Sequence, residues 1–358
     1  MRNYRSYLEK LLEITIKNKA SDLHLSPGRK PILRIDGKLH SVKGESVLSP
    51  EDVVNIVREM IDKSQFDRLL KELDIDFSYS LGKLGRFRGN VFFQQGMISC
   101  ALRFIPGRIP TLDELNLPPI LHKLTKSRQG FVLVTGPASH GKSTTLASLI
   151  DEINHTRAEH IITIEDPIEY VFEDDLSIVD QREVYTDALS FARALRATFR
   201  EDPDVIMVGE MRDPETIATA LTAAETGHLV LATLHTNSAA QTIHRIVDSF
   251  TGVQQAQVRA QLSSALLAII SQRLIPRIGG GLIPACEILL NTPAISNLIR
   301  ENKIHEIPLV ISTSAEEGMM TLNQSLAVLI KEKKITLEDA YNYSINPKEL
   351  GELLKKYF

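Results

Sequence analysis

The stretch that decides the fold runs from Phe131 to Thr144 and reads Phe-Val-Leu-Val-Thr-Gly-Pro-Ala-Ser-His-Gly-Lys-Ser-Thr. Its apolar start predicts a buried strand over 131–135, and residues 143–153 predict a helix. The loop between them satisfies the pattern G-x-x-x-x-G-K-[ST], in which backbone amides and a helix amino terminus surround phosphate oxygens. A strand before the loop and a helix after it argue against a chance match in a glycine-containing turn.

The whole loop is therefore predicted to hold the phosphates of ATP. Lys142 is expected to reach the β- and γ-phosphates as a catalytic cation, and the Ser143 hydroxyl is expected to ligate Mg²⁺. The predicted nucleotide-binding residues of the loop are Gly136, Pro137, Ala138, Ser139, His140, Gly141, Lys142, Ser143 and Thr144.

Apolar runs at 160–164, 205–208 and 229–234 predict further strands of a mostly parallel sheet that is covered on both faces. Two of these runs end in a carboxylate, Glu165 and Glu210, at the edge where open α/β sheets bind ligands. Gly209 stands where an Asp would usually hold Mg²⁺, so Glu165 is predicted to support the metal indirectly. Either glutamate taken alone could be a solvated strand-end carboxylate; together with the loop they predict an ATPase site.

Two histidines, His228 and His235, bracket the strand predicted over 229–234. Their position beside the presumed nucleotide edge suits catalytic sensing of the γ-phosphate. The alternative is that each is a structural polar cap at a strand end.

The rest of the sequence divides into regions with different patterns of predicted secondary structure. Residues 1–106 predict a smaller α+β domain, with a hairpin signal at Asp36-Gly37, and the proline-rich stretch 107–119 predicts a linker. Residues 120–290 carry the ATPase core, and 291–358 predict a helical region. A break between two domains is expected at this length of 358 residues.

Composition excludes several classes of function. A formal net charge of -4 gives no reason to expect a nucleic acid partner. Two cysteines, Cys100 and Cys286, provide neither a disulfide framework nor a zinc site built from four cysteines. The longest apolar stretch, 262–275, is shorter than the ~20 residues that cross a bilayer. No direct membrane insertion is expected, and the protein is predicted to be cytoplasmic.

Several long segments resemble the secretion-superfamily ATPases, and most closely the type IV pilus retraction ATPases, the PilT family. Residues 20–25 and 31–37 look like the N-terminal domain of that family, which is PAS-like. Residues 162–170 look like its Asp box, 200–213 like its atypical Walker B segment with Gly209 in place of Asp, and 226–239 like its His box.

The resemblance implies a RecA-like ATPase domain and a homohexameric ring. It also implies Glu210 as the catalytic glutamate that orients water, Glu165 as a support for metal and water, and His228 and His235 as the His box. The family places arginines against the phosphates, and the matching stretches here contain Arg88, Arg103, Arg196 and Arg200. The alternative for each arginine is a surface salt bridge.

Two features favour retraction over assembly within the family. Assembly and secretion ATPases generally carry a four-cysteine zinc insertion, which this chain lacks, and Ala294–Glu301 matches the retraction motif A-I-R-N-L-I-R-E except at Ser296. The resemblance then implies a motor for pilin disassembly and twitching motility, located at the inner membrane through a pilus platform protein. The alternatives are an assembly or secretion ATPase without the insertion, a weakly hydrolysing accessory paralogue, and a nucleic-acid translocase.

The phosphate loop departs from the family pattern, because Ala138-Ser139-His140 replaces the usual Thr-Gly-Ser. Ser139 occupies a glycine position and is expected to be strained if that position needs a positive φ.

Overall fold

Two units make up the chain in this computed structural model, which describes residues 3–35, 37–105 and 107–357. The first unit comprises Met1–Arg108 together with Asp166–Val171, and the second comprises Ile109–Glu165 and Phe172–Phe358. The short segment 166–171 was not expected to belong with the first unit.

The first unit is an antiparallel sheet with helices. Its described elements are α1 (Tyr4–Lys17), β1 (Asp22–Leu25), β2 (Ile32–Ile35), β3 (Lys38–Ser41), α2 (Pro50–Arg58), α3 (Lys63–Glu72), β4 (Asp74–Ser80), β5 (Arg86–Gln94) and β6 (Met97–Ile105). The strands are ordered β3-β2-β1-β6-β5-β4, and every neighbouring pair is antiparallel. In the predicted hairpin between β2 and β3, Asp36 lies outside the described residues.

The core of this unit follows from the sequence pattern. Leu8, Leu11 and Leu12 recur at helical spacing on α1 and are fully buried, and alternate residues of β5, such as Phe87 and Val91, are buried with them. The apolar periodicity of residues 50–73 predicts one helix, but the structure forms two helices there, α2 and α3. Asp62 begins the second helix, because its carboxylate accepts the Gln65 amide at 2.8 Å while the Gln65 side chain accepts the Asp62 amide at 3.0 Å.

The second unit contains a sheet with helices before and after its strands. Its described elements are α4 (Leu121–Leu124), β7 (Gly130–Thr135), α5 (Lys142–Thr156), β8 (His160–Glu165), β9 (Ile178–Glu183), α6 (Phe191–Thr198), β10 (Val205–Val208), α7 (Pro214–Glu225), β11 (Leu229–Leu234), α8 (Ala239–Asp248), α9 (Gly252–Ala265), β12 (Leu266–Pro276), β13 (Leu282–Leu290), α10 (Pro293–Arg300), α11 (Ile307–Thr313), α12 (Leu322–Lys331), α13 (Leu337–Tyr343) and α14 (Pro347–Tyr357).

This sheet has the order β13-β12-β7-β11-β10-β8-β9, and it is parallel except for β13 at one edge. Residues of β7, β8, β10 and β11 are almost all buried, as expected for parallel strands covered on both faces. The predicted combination of a RecA-like α/β core with a smaller α+β domain is confirmed. The strands β9, β12 and β13 were not predicted.

The stretch predicted as a linker packs on the second unit from Ile109 onward. Leu112 and Leu117 are buried, and the Pro110 carbonyl accepts a hydrogen bond from the Ser148 hydroxyl at 2.6 Å. Much of this segment is therefore an arm of the second unit, while the predicted domain limits as a whole stay a prediction.

Candidate active site

The phosphate loop joins the end of β7 at Thr135 to the start of α5 at Lys142. Its backbone enters the left-handed region or its neighbourhood at Gly136 (φ 144°), Ser139 (φ 63°) and Gly141 (φ 81°). Turns of this kind form concave sites in which successive amides bind anions. A Cβ at Gly136 would lie 2.3 Å from the Gln272 carbonyl oxygen, so only glycine fits there.

Ser139 therefore adopts a positive φ. This is the condition under which strain was expected at this glycine position. A left-handed backbone costs an L-residue about 1–2 kcal/mol relative to the right-handed region. The loop maintains this conformation only because its surroundings impose it.

Lys142 is buried beneath the loop, with 8% of its surface exposed. Its ammonium donates to the carbonyl oxygens of Gly136 at 3.0 Å and Pro137 at 2.8 Å, and its Nζ lies 3.3 Å from His235 Nδ1. An ammonium can only donate, so Nδ1 of His235 must accept and the ring proton must be on Nε2.

The other nitrogen of that ring extends the row of contacts to a carboxylate. His235 Nε2 lies 3.2 Å from Glu210 Oε1, so it donates there, and Arg212 Nη2 donates to Glu210 Oε2 at 2.9 Å. The row Lys142–His235–Glu210–Arg212 connects the phosphate loop to the end of β10. Arg212 was not predicted as a site residue, although a cation two residues after the candidate base could have indicated it.

The charge of Glu210 is set by competing effects. Burial favours the neutral acid, but the hydrogen bond and charge of Arg212, together with the hydrogen bond from His235 Nε2, outweigh it and lower the pKa of Glu210 below its ordinary value. The carboxylate is therefore ionised, and able to accept a proton, throughout the neutral range.

Replacing Arg212 by glutamine should raise the pKa of Glu210, because burial remains while the main compensating cation is lost. A base with a lowered pKa loses its charge only below its ordinary value of 4.5, so wild-type kcat/KM should be flat down to about pH 5. In Arg212→Gln the acid limb should move to higher pH than in the wild type, and Arg212→Lys should restore part of the wild-type profile. Identical profiles of kcat/KM against pH for all three proteins would contradict this.

Glu165 lies at the end of β8, neighbouring β10 in the sheet, and is 7% exposed. Its Oε1 accepts hydrogen bonds from the Thr163 hydroxyl at 2.7 Å and from the Gln181 amide at 3.1 Å. Side chains of β8 and β9 thus fix its orientation at the same sheet edge as the phosphate loop.

The structure explains why glycine replaces Asp at position 209. The Gly209 amide donates to the Ile164 carbonyl at 2.8 Å, and a Cβ at 209 would lie 3.2 Å from that oxygen and 3.4 Å from the Glu165 Cα. The close approach of β10 to β8 would press a side chain at 209 against the backbone of β8, so that this backbone would have to shift by a few tenths of an ångström.

The Gly209→Asp variant should therefore lose about 1–3 kcal/mol of unfolding free energy through overpacking, which thermal unfolding would measure. Gly252→Asp is the matched control, since a Cβ at Gly252 meets nothing within 4 Å. Equal melting temperatures for Gly209→Asp and the control would show that close packing does not exclude a side chain at 209.

The Ser143 side chain is exposed in the first turn of α5. A hydroxyl at this point with carboxylates on adjacent strand ends suits Mg²⁺, which prefers oxygen ligands and keeps several waters. Among the described residues no group of three or more His, Cys, Asp or Glu side chains could hold a metal by itself. The Ser143 hydroxyl and the strand-end carboxylates thus offer the kind of oxygen ligand that suits magnesium, and the ion itself stays a prediction.

The structure separates the two histidines predicted as a pair. His235 follows β11 beside the loop, whereas His228 precedes β11, at the amino edge. A six-residue strand spans about 20 Å, so His228 is not brought together with Lys142 in this chain. Its Nδ1 contacts the Ala223 carbonyl at 2.9 Å, and its ring meets Phe199 edge-on at 5.8 Å.

The four predicted arginines lie in both units. In the first, Arg88 pairs with Glu169 at 3.0 Å, and Arg103 pairs with Asp22 at 3.0 Å. In the second, Arg196 on α6 is exposed and pairs with Glu215, and Arg200 just past α6 is exposed. Nothing in one chain tests their predicted contact with phosphate.

No helix in the described part of the chain is long and apolar enough to cross a membrane. Cys100 and Cys286 are both buried as free thiols. A loop of phosphate-binding geometry, with a buried lysine and an ionised carboxylate at the carboxyl edge of a parallel sheet, defines a P-loop ATPase.

Comparison with known proteins gives the family. The model of the family described as type II/IV secretion system protein matches residues 3–302. A Pseudomonas aeruginosa protein named type IV pilus retractation ATPase PilT is 45% identical over 333 residues, covering 93% of this chain and 96% of that protein. A twitching motility protein of Neisseria gonorrhoeae is 46% identical over 322 residues, covering 90% of this chain and 86% of that protein.

Among solved structures, the pilus retraction motor PilT with bound ADP superposes with a TM-score of 0.88 at 49% identity, covering 96% of this chain and 98% of that one. The chain belongs to the type II/IV secretion system protein family, and within it to the type IV pilus retraction ATPases. The resemblance stated from the sequence is confirmed.

Proposed function

We propose that the chain binds Mg²⁺–ATP at its phosphate loop, hydrolyses it, and uses the energy to withdraw pilin from the base of a type IV pilus. The row Lys142–His235–Glu210 carries this proposal. It connects a cation for the phosphates to a carboxylate for the attacking water at one edge of the sheet. The names of the relatives, a pilus retractation ATPase and a twitching motility protein, support the direction of work.

Each residue of the row has a distinct part in this proposal. Lys142 turns from the carbonyls of Gly136 and Pro137 to the β- and γ-phosphates and stabilises their charge. Glu210 orients water and accepts its proton. His235 contacts Lys142 with one ring nitrogen and Glu210 with the other, so a movement of the lysine is transmitted to the carboxylate. Magnesium, held by phosphate oxygens and the Ser143 hydroxyl, would neutralise charge that develops on the transferred phosphoryl group. Glu165 would orient water at that ion.

Some predicted site residues would act only in an assembly. We propose a homohexameric ring in which His228, Arg196 and Arg200 serve a neighbouring subunit, since His228 lies at the edge of the sheet opposite to its own loop. Arg88 and Arg103 would have to exchange their present carboxylate partners, Glu169 and Asp22, for phosphate. Light scattering on the purified protein should give six times the subunit mass of 40.0 kDa.

The ring is proposed to work in the cytoplasm against an inner-membrane pilus platform protein. Deletion of the gene tests the direction of work. Cells without a retraction ATPase should display surface pili yet not twitch, and wild-type protein should restore movement where Glu210→Gln does not. Loss of the surface pili themselves would instead indicate an assembly ATPase, and ATP turnover stimulated by DNA would indicate a translocase.

A further inference from the structure

Strand β12 continues past the end of β7 and lies along the phosphate loop. The two strands pair in parallel as far as Ser271 opposite Thr135, where β7 ends and the loop begins. The next residues of β12, from Gln272 to Leu274, are therefore adjacent to the loop. None of the nucleotide-binding motifs in the sequence includes them.

The Gln272 side chain connects two parts of the loop region. It is 1% exposed, its Nε2 donates to the His140 carbonyl at 2.7 Å, and its Oε1 accepts the Thr145 hydroxyl at 2.8 Å. One amide thus joins the loop to the first turn of α5. Only a side chain with both a donor and an acceptor can make these two contacts.

The main chain of β12 adds two further constraints. The Leu274 amide donates to His140 Nδ1 at 2.9 Å, and the Gln272 carbonyl oxygen occupies the space that a Cβ at Gly136 would need. Strand β12 therefore contacts the loop near its start, at Gly136, and near its end, at His140. Because Ser139 adopts a backbone conformation that is unfavourable for serine, the loop depends on such external contacts to keep its shape.

We propose that Gln272 is a positioning residue that sets the phosphate loop in its binding shape before the nucleotide arrives. The inference rests on the proposed function, since it concerns the same nucleotide site. A preformed loop lowers the free-energy cost of ordering the loop when nucleotide binds. The loss of Gln272 should therefore weaken the binding of every nucleotide whose phosphates lie in the loop. The chemical step should change little, because the hydrogen bonds of the Gln272 side chain go to His140 and Thr145 rather than to the proposed base Glu210.

The experiment measures the dissociation constants of fluorescent ATP and ADP analogues, and kcat and KM for ATP, on the full-length protein. In Gln272→Leu both dissociation constants should rise about tenfold, KM should rise with them, and kcat should stay within about twofold of wild type. Gln272→Glu, which keeps the acceptor for Thr145 but places a carboxylate against the His140 carbonyl, should behave similarly. Thr145→Ala removes one contact only and should give a smaller rise.

Ser325→Ala is the matched control, because it removes one buried hydrogen bond of the same unit, from the Cys286 amide at 3.1 Å, away from the loop. It should lower the melting temperature without changing nucleotide affinity. Unchanged affinities in the folded Gln272 and Thr145 variants would overturn the inference while leaving the proposed function intact. A wild-type protein that binds neither ATP nor ADP would overturn both.

Discussion

ATP hydrolysis by the Lys142→Ala variant is expected to fall about a thousandfold, to the background of the assay. In the structure the ammonium is held under the loop by two carbonyl oxygens and is linked to Glu210 through His235. Alanine would remove the cation that stabilises charge on the transferred phosphoryl group and also the donor that fixes the ring of His235. Removal of one preorganised stabilising group typically costs two to three orders of magnitude in kcat.

Steady-state phosphate release with Mg²⁺ measures this effect. Lys334→Ala is the control, because Lys334 belongs to the same unit and its ammonium bonds Glu332 at 2.8 Å and Asn116 at 3.3 Å. The control should hydrolyse ATP at the wild-type rate. Undiminished turnover in Lys142→Ala would mean that hydrolysis occurs elsewhere than at the phosphate loop.

The Glu210→Gln variant is expected to bind ATP but to hydrolyse it about a hundredfold to ten-thousandfold more slowly. Glutamine has nearly the same shape, and its oxygen can still accept the His235 Nε2–H. It cannot accept a proton from water and cannot pair with the Arg212 charge. Binding should therefore persist within about threefold, while kcat collapses.

Parallel binding and single-turnover measurements separate the two effects. Glu332→Gln is the matched control, since it neutralises an exposed carboxylate paired with Lys334. If Glu210→Gln kept wild-type turnover, the base would have to be another group, and Glu165, on the neighbouring strand, would be the first to test.

Much of this architecture could be predicted because the decisive signals are local. Buried parallel strands are continuous apolar runs in the sequence. The glycine pattern of the loop motif also indicates where the backbone adopts a positive φ, as it does at Ser139. The carboxylates Glu165 and Glu210 could be placed at one edge because the carboxyl ends of parallel strands meet there.

The remaining features depend on contacts that are distant in sequence. Gln272 meets His140 across 132 positions, and no periodicity in β12 reveals that pairing. The two histidines show how a strand separates residues that are close in sequence. His228 and His235 bracket β11, whose extended backbone places them at opposite edges of the sheet, so the role predicted for both beside the γ-phosphate stays a prediction.

The assignment of Asp166–Val171 to the first unit has a consequence for building chimaeras. The chain passes between the units after Arg108, after Glu165 and after Val171, and the returning segment gives Arg86 a carbonyl partner at Ile168 and Arg88 a carboxylate partner at Glu169. A single crossover near residue 108 would join the first 108 residues of one parent to the returning segment of the other parent. Recombinant motors made from two homologues should therefore exchange residues 166–171 together with residues 1–108.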